Sequence, residues 1–180
     1  MTISTNISSA ARPEEASMTD SADVVTFNAD QALYAVPVSR VQEILDLRPV
    51  AAMPNAPAYL LGIIDLRGEN IPVVDLRRLL GRPETADTTQ SRILVVWLAK
   101  GAERAVIGIK TDRVIEVTRL DDAEVKPLTE AELLGWTGSA VAGIGRCRGE
   151  VVSLIDLDRL FDRVDLGAQA LGAQALADVA

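Results

Sequence analysis

The chain contains an internal repeat that constrains its fold more than any other feature. The stretch from Gly62 to Leu80, GIIDLRGENIPVVDLRRLL, returns as Gly143 to Phe161, GIGRCRGEVVSLIDLDRLF, at an offset of 81. Nine of the nineteen aligned positions are identical. Upstream, Arg40 to Ile44 (RVQEI) is echoed by Arg113 to Val117 (RVIEV) at an offset of 73. The sequence therefore predicts a duplication with two related subdomains packed together, because two copies are too few for a solenoid.

Composition limits the size of each subdomain and the class of ligand. A barrel of about 60 residues buries only about 60% of its unfolded surface, so we expect the two copies in this chain of 180 residues to share a core. The net charge of −8 would repel phosphate backbones. The sequence therefore argues against nucleic acid as the main ligand and favours protein partners with basic patches.

Cysteine use and the distribution of apolar residues predict a cytoplasmic protein. Cys147 is the only cysteine, so no internal disulfide is possible. The first twenty residues lack the basic start and apolar run of a secretory signal, and no stretch reaches the roughly 18 apolar residues of a membrane span. Any association with a membrane would therefore be indirect.

Short runs of β-branched residues between turn signals predict an all-β architecture built as two small barrels. A capping-box pattern at Ser39 to Gln42 predicts a short helix from about Arg40 to Leu45, and Asp75 is predicted to cap a second one. The polar segment 84–91 is the expected linker between copies, and 1–21 and 162–180 are expected to be a disordered tail and an Ala-rich tail. The predicted strand pairs are Asp23 to Asn28 with Gln31 to Val36, Ile63 to Leu66 with Asn70 to Val74, and Arg92 to Leu98 with Arg104 to Ile109.

The sequence offers little for catalysis. There is no histidine, which removes the usual general base and the commonest metal ligand. Asp75 and Asp156 recur with leucine in both copies and are interpreted as helix caps. Cys147 stands where Leu66 stands in the first copy and is interpreted as a packing residue. We therefore predict no enzyme, cofactor or metal, and the alternative is a carboxylate- or thiol-dependent enzyme that uses Asp75, Asp156 or Cys147.

Several spaced motifs resemble the CheW coupling proteins of bacterial chemotaxis. They are Val38 to Ile44, Pro54 to Pro57, Gly62 to Gly68 and Ile71 to Arg77, and the resemblance covers about Asp23 to Phe161. It implies two packed, SH3-like, five-stranded β-barrels. It also implies a non-enzymatic scaffold that joins a CheA-type histidine kinase, through its regulatory domain, to the cytoplasmic signalling tips of chemoreceptors in arrays at the inner membrane.

The resemblance also implies barrel boundaries. Barrel 1 would span about 22–84 together with a strand that returns near 151–155, and barrel 2 would span about 91–150. The regulatory domain of CheA and the front half of CheV are similar as well. No receiver or kinase domain follows Phe161, so we expect a stand-alone adaptor, with motility, pili or surface sensing left open as its output.

Carried over residue by residue, the resemblance implies a binding site. The positions that match Val38, Glu43 and Arg67 lie at or near the receptor-facing groove between the barrels in this family, and Gly62 matches a glycine of the same motif. Asp65 departs from the family, which usually has asparagine before Leu-Arg-Gly. The added negative charge beside Arg67 would weaken contact with an acidic partner or adapt it to another receptor.

Overall fold

The computed structural model describes residues 23–100, 103–121, 126, 140–162 and 164, so the tail predicted at 1–21 and nearly all of that predicted at 162–180 lie outside it. The described part contains ten strands, two short α-helices and one 3₁₀ turn. The elements are β1 (Asp23–Ala29), β2 (Ala32–Pro37), a 3₁₀ turn (Val38–Arg40), β3 (Val41–Asp46), β4 (Leu60–Leu66), β5 (Glu69–Asp75), α1 (Leu76–Leu79), β6 (Arg92–Lys100), β7 (Glu103–Thr111), β8 (Arg113–Arg119), β9 (Val141–Cys147), β10 (Glu150–Ile155) and α2 (Leu157–Asp162).

The strands form two five-stranded sheets, which confirms the predicted all-β class. The first sheet has the order β8-β1-β2-β10-β9 and the second sheet has the order β3-β6-β7-β5-β4. Each sheet combines the leading hairpin of one copy with three strands of the other copy. The two copies are therefore interleaved, and they cannot separate without breaking strand pairs in both sheets.

The backbone confirms the duplication in detail. Gly62 and Gly143 both lie beside a register shift in their strand pairs, β4–β5 and β9–β10. Arg67 and Arg148, at the tips of those pairs, both have positive φ, 58° and 51°. Parallel pairing is repeated as well, between β5 and β7 in the second sheet and between β10 and β2 in the first. The repeat therefore encodes one hairpin-helix unit used twice.

The predicted grouping of strands into barrels needs correction. The returning strand does lie beside β2, with Ser153 opposite Tyr34. However, β3, β4 and β5 join β6 and β7 in the second sheet, whereas β8 and β9 join the first sheet. The chain crosses from one sheet to the other after each leading hairpin. The boundaries 22–84 and 91–150 were wrong because similar copies offer equivalent pairing partners, and a sequence pattern does not show which partner is taken.

The helix predicted from Arg40 to Leu45 is also wrong. The helical part is limited to the 3₁₀ turn Val38–Arg40, which has no side-chain cap, and β3 follows at once. Val41 pairs with Val96 of β6, and Leu45 is buried in the second sheet. Six residues form too few intrahelical hydrogen bonds to compete with a complete strand pair.

A shared core joins the two sheets, as the size of the copies predicts. The largest buried cluster takes residues from both sheets and both helices, while a smaller cluster packs against each sheet. Asp75 and Asp156 cap the helices by accepting hydrogen bonds from the backbone N–H groups of Arg78 (3.3 Å) and Arg159 (3.0 Å). The interpretation of both aspartates as caps is therefore confirmed.

Two ion pairs fasten the places where the chain crosses between sheets. Arg77 of α1 donates to Asp112, between β7 and β8, with Nη2 2.6 Å from Oδ2. The hydrogen bond to Asp112 raises the pKa of Arg77. At the other crossing, Arg40 pairs with Asp158 of α2. Arg77 and Asp158 are equivalent positions of the repeat, so the same helix position fastens both crossings, with the charges reversed.

We expect Asp112→Ala to lower the free energy of unfolding by about 2 kcal/mol, because it leaves Arg77, only 15% exposed, with only the longer ion pair to Asp30 at 3.5 Å. Asp112 also accepts a hydrogen bond from the backbone N–H of Asp30 (2.7 Å). The matched control is Asp23→Ala, which breaks the exposed pair with Arg119 and should cost less than about 0.5 kcal/mol. Urea unfolding measures both values. Equal losses of unfolding free energy in the two variants would show that the Arg77–Asp112 pair stabilises the protein no more than an exposed pair does.

Candidate functional site

An open depression of 540 Å³ lies at one end of the second sheet. Two elements that are distant in sequence form it, namely β3 and the tip between β4 and β5. These elements belong to opposite edges of the sheet, so contact across the depression brings the two edges together. The residues that line this Arg67 depression are Gln42, Glu43, Leu66, Arg67 and Glu69.

An ion pair spans the Arg67 depression. Arg67 Nη2 lies 3.1 Å from Glu43 Oε1, and the side chains are 79% and 31% exposed. Pairs this exposed contribute roughly 0 to 1 kcal/mol to stability. A guanidinium has five N–H donors, so most of the hydrogen-bonding capacity of Arg67 remains accessible to a partner. The ion pair therefore orients the Arg67 side chain and leaves most of its N–H donors available to a partner.

The turn that carries Arg67 depends on Gly68 and Asp65. Arg67 and Gly68 both have positive φ, 58° and 87°, as the tight turns of hairpins require. Asp65 Oδ1 accepts a hydrogen bond from the Gly68 backbone N–H at 3.2 Å. Asp65 forms no ion pair with Arg67 within the described residues. It therefore holds the turn, a task that the asparagine usual in the family would also perform, and it adds a charge beside the arginine.

The other two predicted site residues lie outside the depression. Val38 is in the 3₁₀ turn where the chain crosses between sheets, and it packs against the main core. Gly62 has φ of 142°, and a Cβ there would lie 2.0 Å from the carbonyl oxygen of Ala51. Gly62 is therefore required by the backbone. The depression is lined by one sheet alone, which differs from the groove between barrels that the resemblance implied.

The second copy carries an equivalent ion pair that the residue-by-residue reading missed. Arg148 Nη2 lies 2.7 Å from Glu116 Oε2. The backbone N–H groups of Arg148 and Gly149 both donate to Asp121, and these bonds lower the pKa of that carboxyl. The repeat offsets of 73 and 81 match Glu116 to Glu43 and Arg148 to Arg67, so comparison of the copies would have found the pair. The lining residues Gln42, Leu66 and Glu69 were missed as well, although the last two flank the predicted tip.

The three residues considered for catalysis, Asp75, Asp156 and Cys147, are helix caps or core residues in the fold. Asp75 and Asp156 cap different helices, and Asp75 is paired with Lys110 at 2.9 Å. Cys147 is buried beside Val24 and Val152, and its pKa is raised by burial and by the nearby carboxylates of Asp121 and Glu116. A thiol of raised pKa is a weak nucleophile at neutral pH. Within the described ranges, no three His, Cys, Asp or Glu residues are grouped to hold a metal ion.

We expect Cys147→Ala to cost about 1 to 2 kcal/mol of stability through lost packing and to leave partner binding unchanged. The expectation rests on the 5% exposure of Cys147 within an apolar cluster. Urea unfolding and binding assays check the two parts separately. Loss of partner binding by a variant that unfolds normally would instead indicate thiol chemistry.

Two interleaved sheets and a charged, open depression define a duplicated all-β binding domain. The chain belongs to the family of the CheW-like domain, whose model matches residues 23–165. This is a family of chemotaxis coupling scaffolds, so the resemblance recognised in the motifs is confirmed. Neither helix of the described residues has the length and apolar character that a membrane span requires.

Named relatives and a solved structure agree with this assignment. The chain is 29% identical over 139 residues to the chemotaxis protein CheW of Rhizobium meliloti, which covers 77% of this chain and 86% of the relative. It is 26% identical over 155 residues to the protein FrzA of Myxococcus xanthus, covering 84% and 88%. The crystal structure of the scaffolding protein TtCheW from Thermoanaerobacter tengcongensis is similar with a TM-score of 0.67 and 28% identity, covering 81% of this chain and 94% of that one.

Proposed function

We propose that this protein is a non-enzymatic scaffold that links a CheA-type histidine kinase to the cytoplasmic signalling tips of chemoreceptors. The observation that supports this most strongly is the Arg67 depression, in which an exposed arginine at the hairpin tip between β4 and β5 is oriented by Glu43. Arginine is enriched among the interface residues that dominate binding energy. The protein acts in the cytoplasm and reaches the inner membrane through its receptors.

The receptor tip binds at the Arg67 depression. Arg67 and Glu43 offer donors and an acceptor from opposite edges of one sheet, and a helical hairpin end fits over the ion pair as a polar, convex partner. Asp65 tunes this contact by charge, since it stands two residues from the arginine. Val38 and Gly62 act indirectly, because the first packs at the crossing that leads into β3 and the second allows β4 to pass close to Ala51.

The kinase binds through its regulatory domain at a surface separate from the Arg67 depression. That domain resembles this one, so the contact is between two proteins of similar fold. Simultaneous binding of both partners requires that the receptor site and the kinase site do not overlap. The capping roles of Asp75 and Asp156 and the burial of Cys147 favour this scaffold over the alternative of a carboxylate- or thiol-dependent enzyme.

Co-sedimentation tests the proposal. The purified protein is mixed with a receptor signalling fragment, with a kinase regulatory domain, or with both, and the pelleted and soluble fractions are compared. We expect the protein to bind each partner alone and to bring the regulatory domain into the pellet with the receptor fragment. Failure to bind either partner, or mutual exclusion of the two, would contradict the scaffold.

A further inference from the structure

A second depression, of 440 Å³, lies on the second sheet and shares no lining residue with the Arg67 depression. Its apolar surface is formed by Leu47, Val50 and Leu61, half-buried side chains that pack against the small cluster of that sheet. Its rim is formed by the segment after β3 and by the linker between the copies. The lining residues of this Lys110 depression are Leu47, Arg48, Pro49, Val50, Leu61, Val73, Asp87, Ile93 and Lys110.

Of the two cations that line this depression, Arg48 and Lys110, Lys110 is held between two carboxylates. Its Nζ lies 2.9 Å from Asp75 Oδ2 and 2.8 Å from Asp87 Oδ1. The two carboxylates differ in freedom. Asp75 is buried and fixed as the cap of α1, whereas Asp87 is 53% exposed on a segment without regular secondary structure. Asp87 is therefore the carboxylate that a competing anion would displace.

Comparison of the two copies shows that the fold does not require this lysine. Lys110 lies opposite Asp75 in the parallel pairing of β5 with β7, and its counterpart in the first sheet is Pro37. In the second copy the capping carboxylate of Asp156 is paired with Arg159 of its own helix at 3.2 Å. The equivalent arginine of the first copy, Arg78, pairs with Glu84 instead, at 3.0 Å. Lys110 is thus a cation that only one half of the molecule possesses.

Asp87 of the linker binds Lys110 in the position that the carboxylate of an external ligand would take. Three contacts hold the linker and the residue before it, from Arg77 of α1 to the carbonyl of Pro83 (3.0 Å), from Arg78 of α1 to Glu84 and from Lys110 of β7 to Asp87. In the last of these pairs only Asp87 is well exposed, at 53% against 18% for Lys110, so displacing Asp87 returns its carboxylate to water at little cost. A ligand carboxylate that also buries an alkyl chain can therefore compete with it. The volume lies within the range of about 300 to 1,000 Å³ that small-molecule sites have.

We propose that the Lys110 depression binds a small amphipathic carboxylate. The ligand carboxylate replaces that of Asp87 at Lys110, and its alkyl chain covers the apolar surface at Leu47, Val50 and Leu61. A cation beside an apolar surface binds both the carboxylate and the alkyl chain of such a ligand. An alcohol lacks the charge, and a short carboxylate lacks the chain.

Isothermal titration with octanoate tests the proposal on the full chain, and acetate serves as the ligand without an alkyl chain. We expect saturable binding of one octanoate per protein and no binding of acetate at the same concentrations. Asp87→Asn should raise the affinity for octanoate about two- to fivefold, because it removes the internal competitor. Lys110→Gln should lower it at least about tenfold.

Two further variants keep the result interpretable. Lys110→Gln leaves Asp75 unpaired, so the double variant Asp75→Asn with Lys110→Gln restores neutrality and should bind as weakly as the single one. Val50→Asp places a like charge in the apolar surface without touching the ion pairs, and it should also weaken binding at least about tenfold. Binding is measured well below the melting temperature of this variant, because Val50 packs against the small cluster. Octanoate affinity that is indifferent to Lys110→Gln and Val50→Asp, or absence of saturable binding in Asp87→Asn, would overturn the proposal.

Discussion

Arg67→Glu should lower the affinity for a chemoreceptor signalling fragment roughly thirtyfold or more while the protein unfolds as the wild type does. Loss of an interface residue that dominates binding typically costs about 2 kcal/mol or more, and a carboxylate replaces none of the guanidinium donors. Stability should change by no more than about 0.5 kcal/mol, because the side chain is exposed and the turn is held by Gly68 and Asp65. Binding isotherms and thermal unfolding measure the two effects.

Two companion variants separate contact with the partner from the internal ion pair. Glu43→Arg combined with Arg67→Glu restores the pair with reversed charges, so it should remain defective if Arg67 contacts the receptor. Arg148→Glu changes the equivalent tip of the second copy and should retain receptor binding. Recovery in the double variant, or an equal loss in Arg148→Glu, would show that the Arg67 depression is not the receptor site.

Gly62→Ala should destabilise the protein by at least about 3 kcal/mol, corresponding to a fall of about 6 to 12 °C in melting temperature. The added Cβ would lie 2.0 Å from the carbonyl oxygen and 2.7 Å from the carbonyl carbon of Ala51. Ala51 cannot easily retreat, because its N–H and C=O are both hydrogen-bonded to Ile63. A φ of 142° adds backbone strain for any residue with a side chain.

Gly81→Ala is the matched control for this prediction. Gly81 also has positive φ, 65°, but a Cβ there would meet nothing within 4 Å. It should therefore cost only the conformational penalty, about 1 to 2 kcal/mol. Urea unfolding of both variants measures the difference, and similar losses would show that contact with Ala51 is unimportant. Partner binding by Gly62→Ala should fall only in proportion to the unfolded fraction.

The repeat predicted local structure well because turns and caps depend on a few neighbouring residues. The tips at Arg67 and Arg148 and the helix caps at Asp75 and Asp156 all follow from residue types within a short stretch. The return of β10 to the first sheet was predicted by the resemblance, but the exchange of the other strands between copies was not. Val41 pairs with Val96, and nothing local distinguishes that partner from one in its own copy. Neighbouring residues therefore determine the hairpin-helix units, whereas strand pairing between residues distant in sequence determines how these units are arranged in the two sheets.

The site was predictable to the extent that it repeats or resembles a known motif. Glu43 and Arg67 were identified by the resemblance, and their contact appeared only in the fold, since β3 and β4 are opposite edges of one sheet. The ion pair of Glu116 with Arg148 could have been predicted from the repeat, because these residues match Glu43 and Arg67. The surroundings of Lys110 could not be predicted in this way. They combine a strand, the helix cap Asp75 and the linker residue Asp87, and the repeat does not reproduce this combination.

Receptor-dependent kinase activity tests the central claim most directly. A CheA-type kinase and a receptor signalling fragment are reconstituted with and without this protein, and the rate of kinase autophosphorylation is measured. The scaffold predicts strong stimulation only when all three components are present, and little stimulation when Arg67→Glu replaces the wild type. Equal stimulation by the receptor with and without the protein, or no stimulation by the complete mixture, would contradict it.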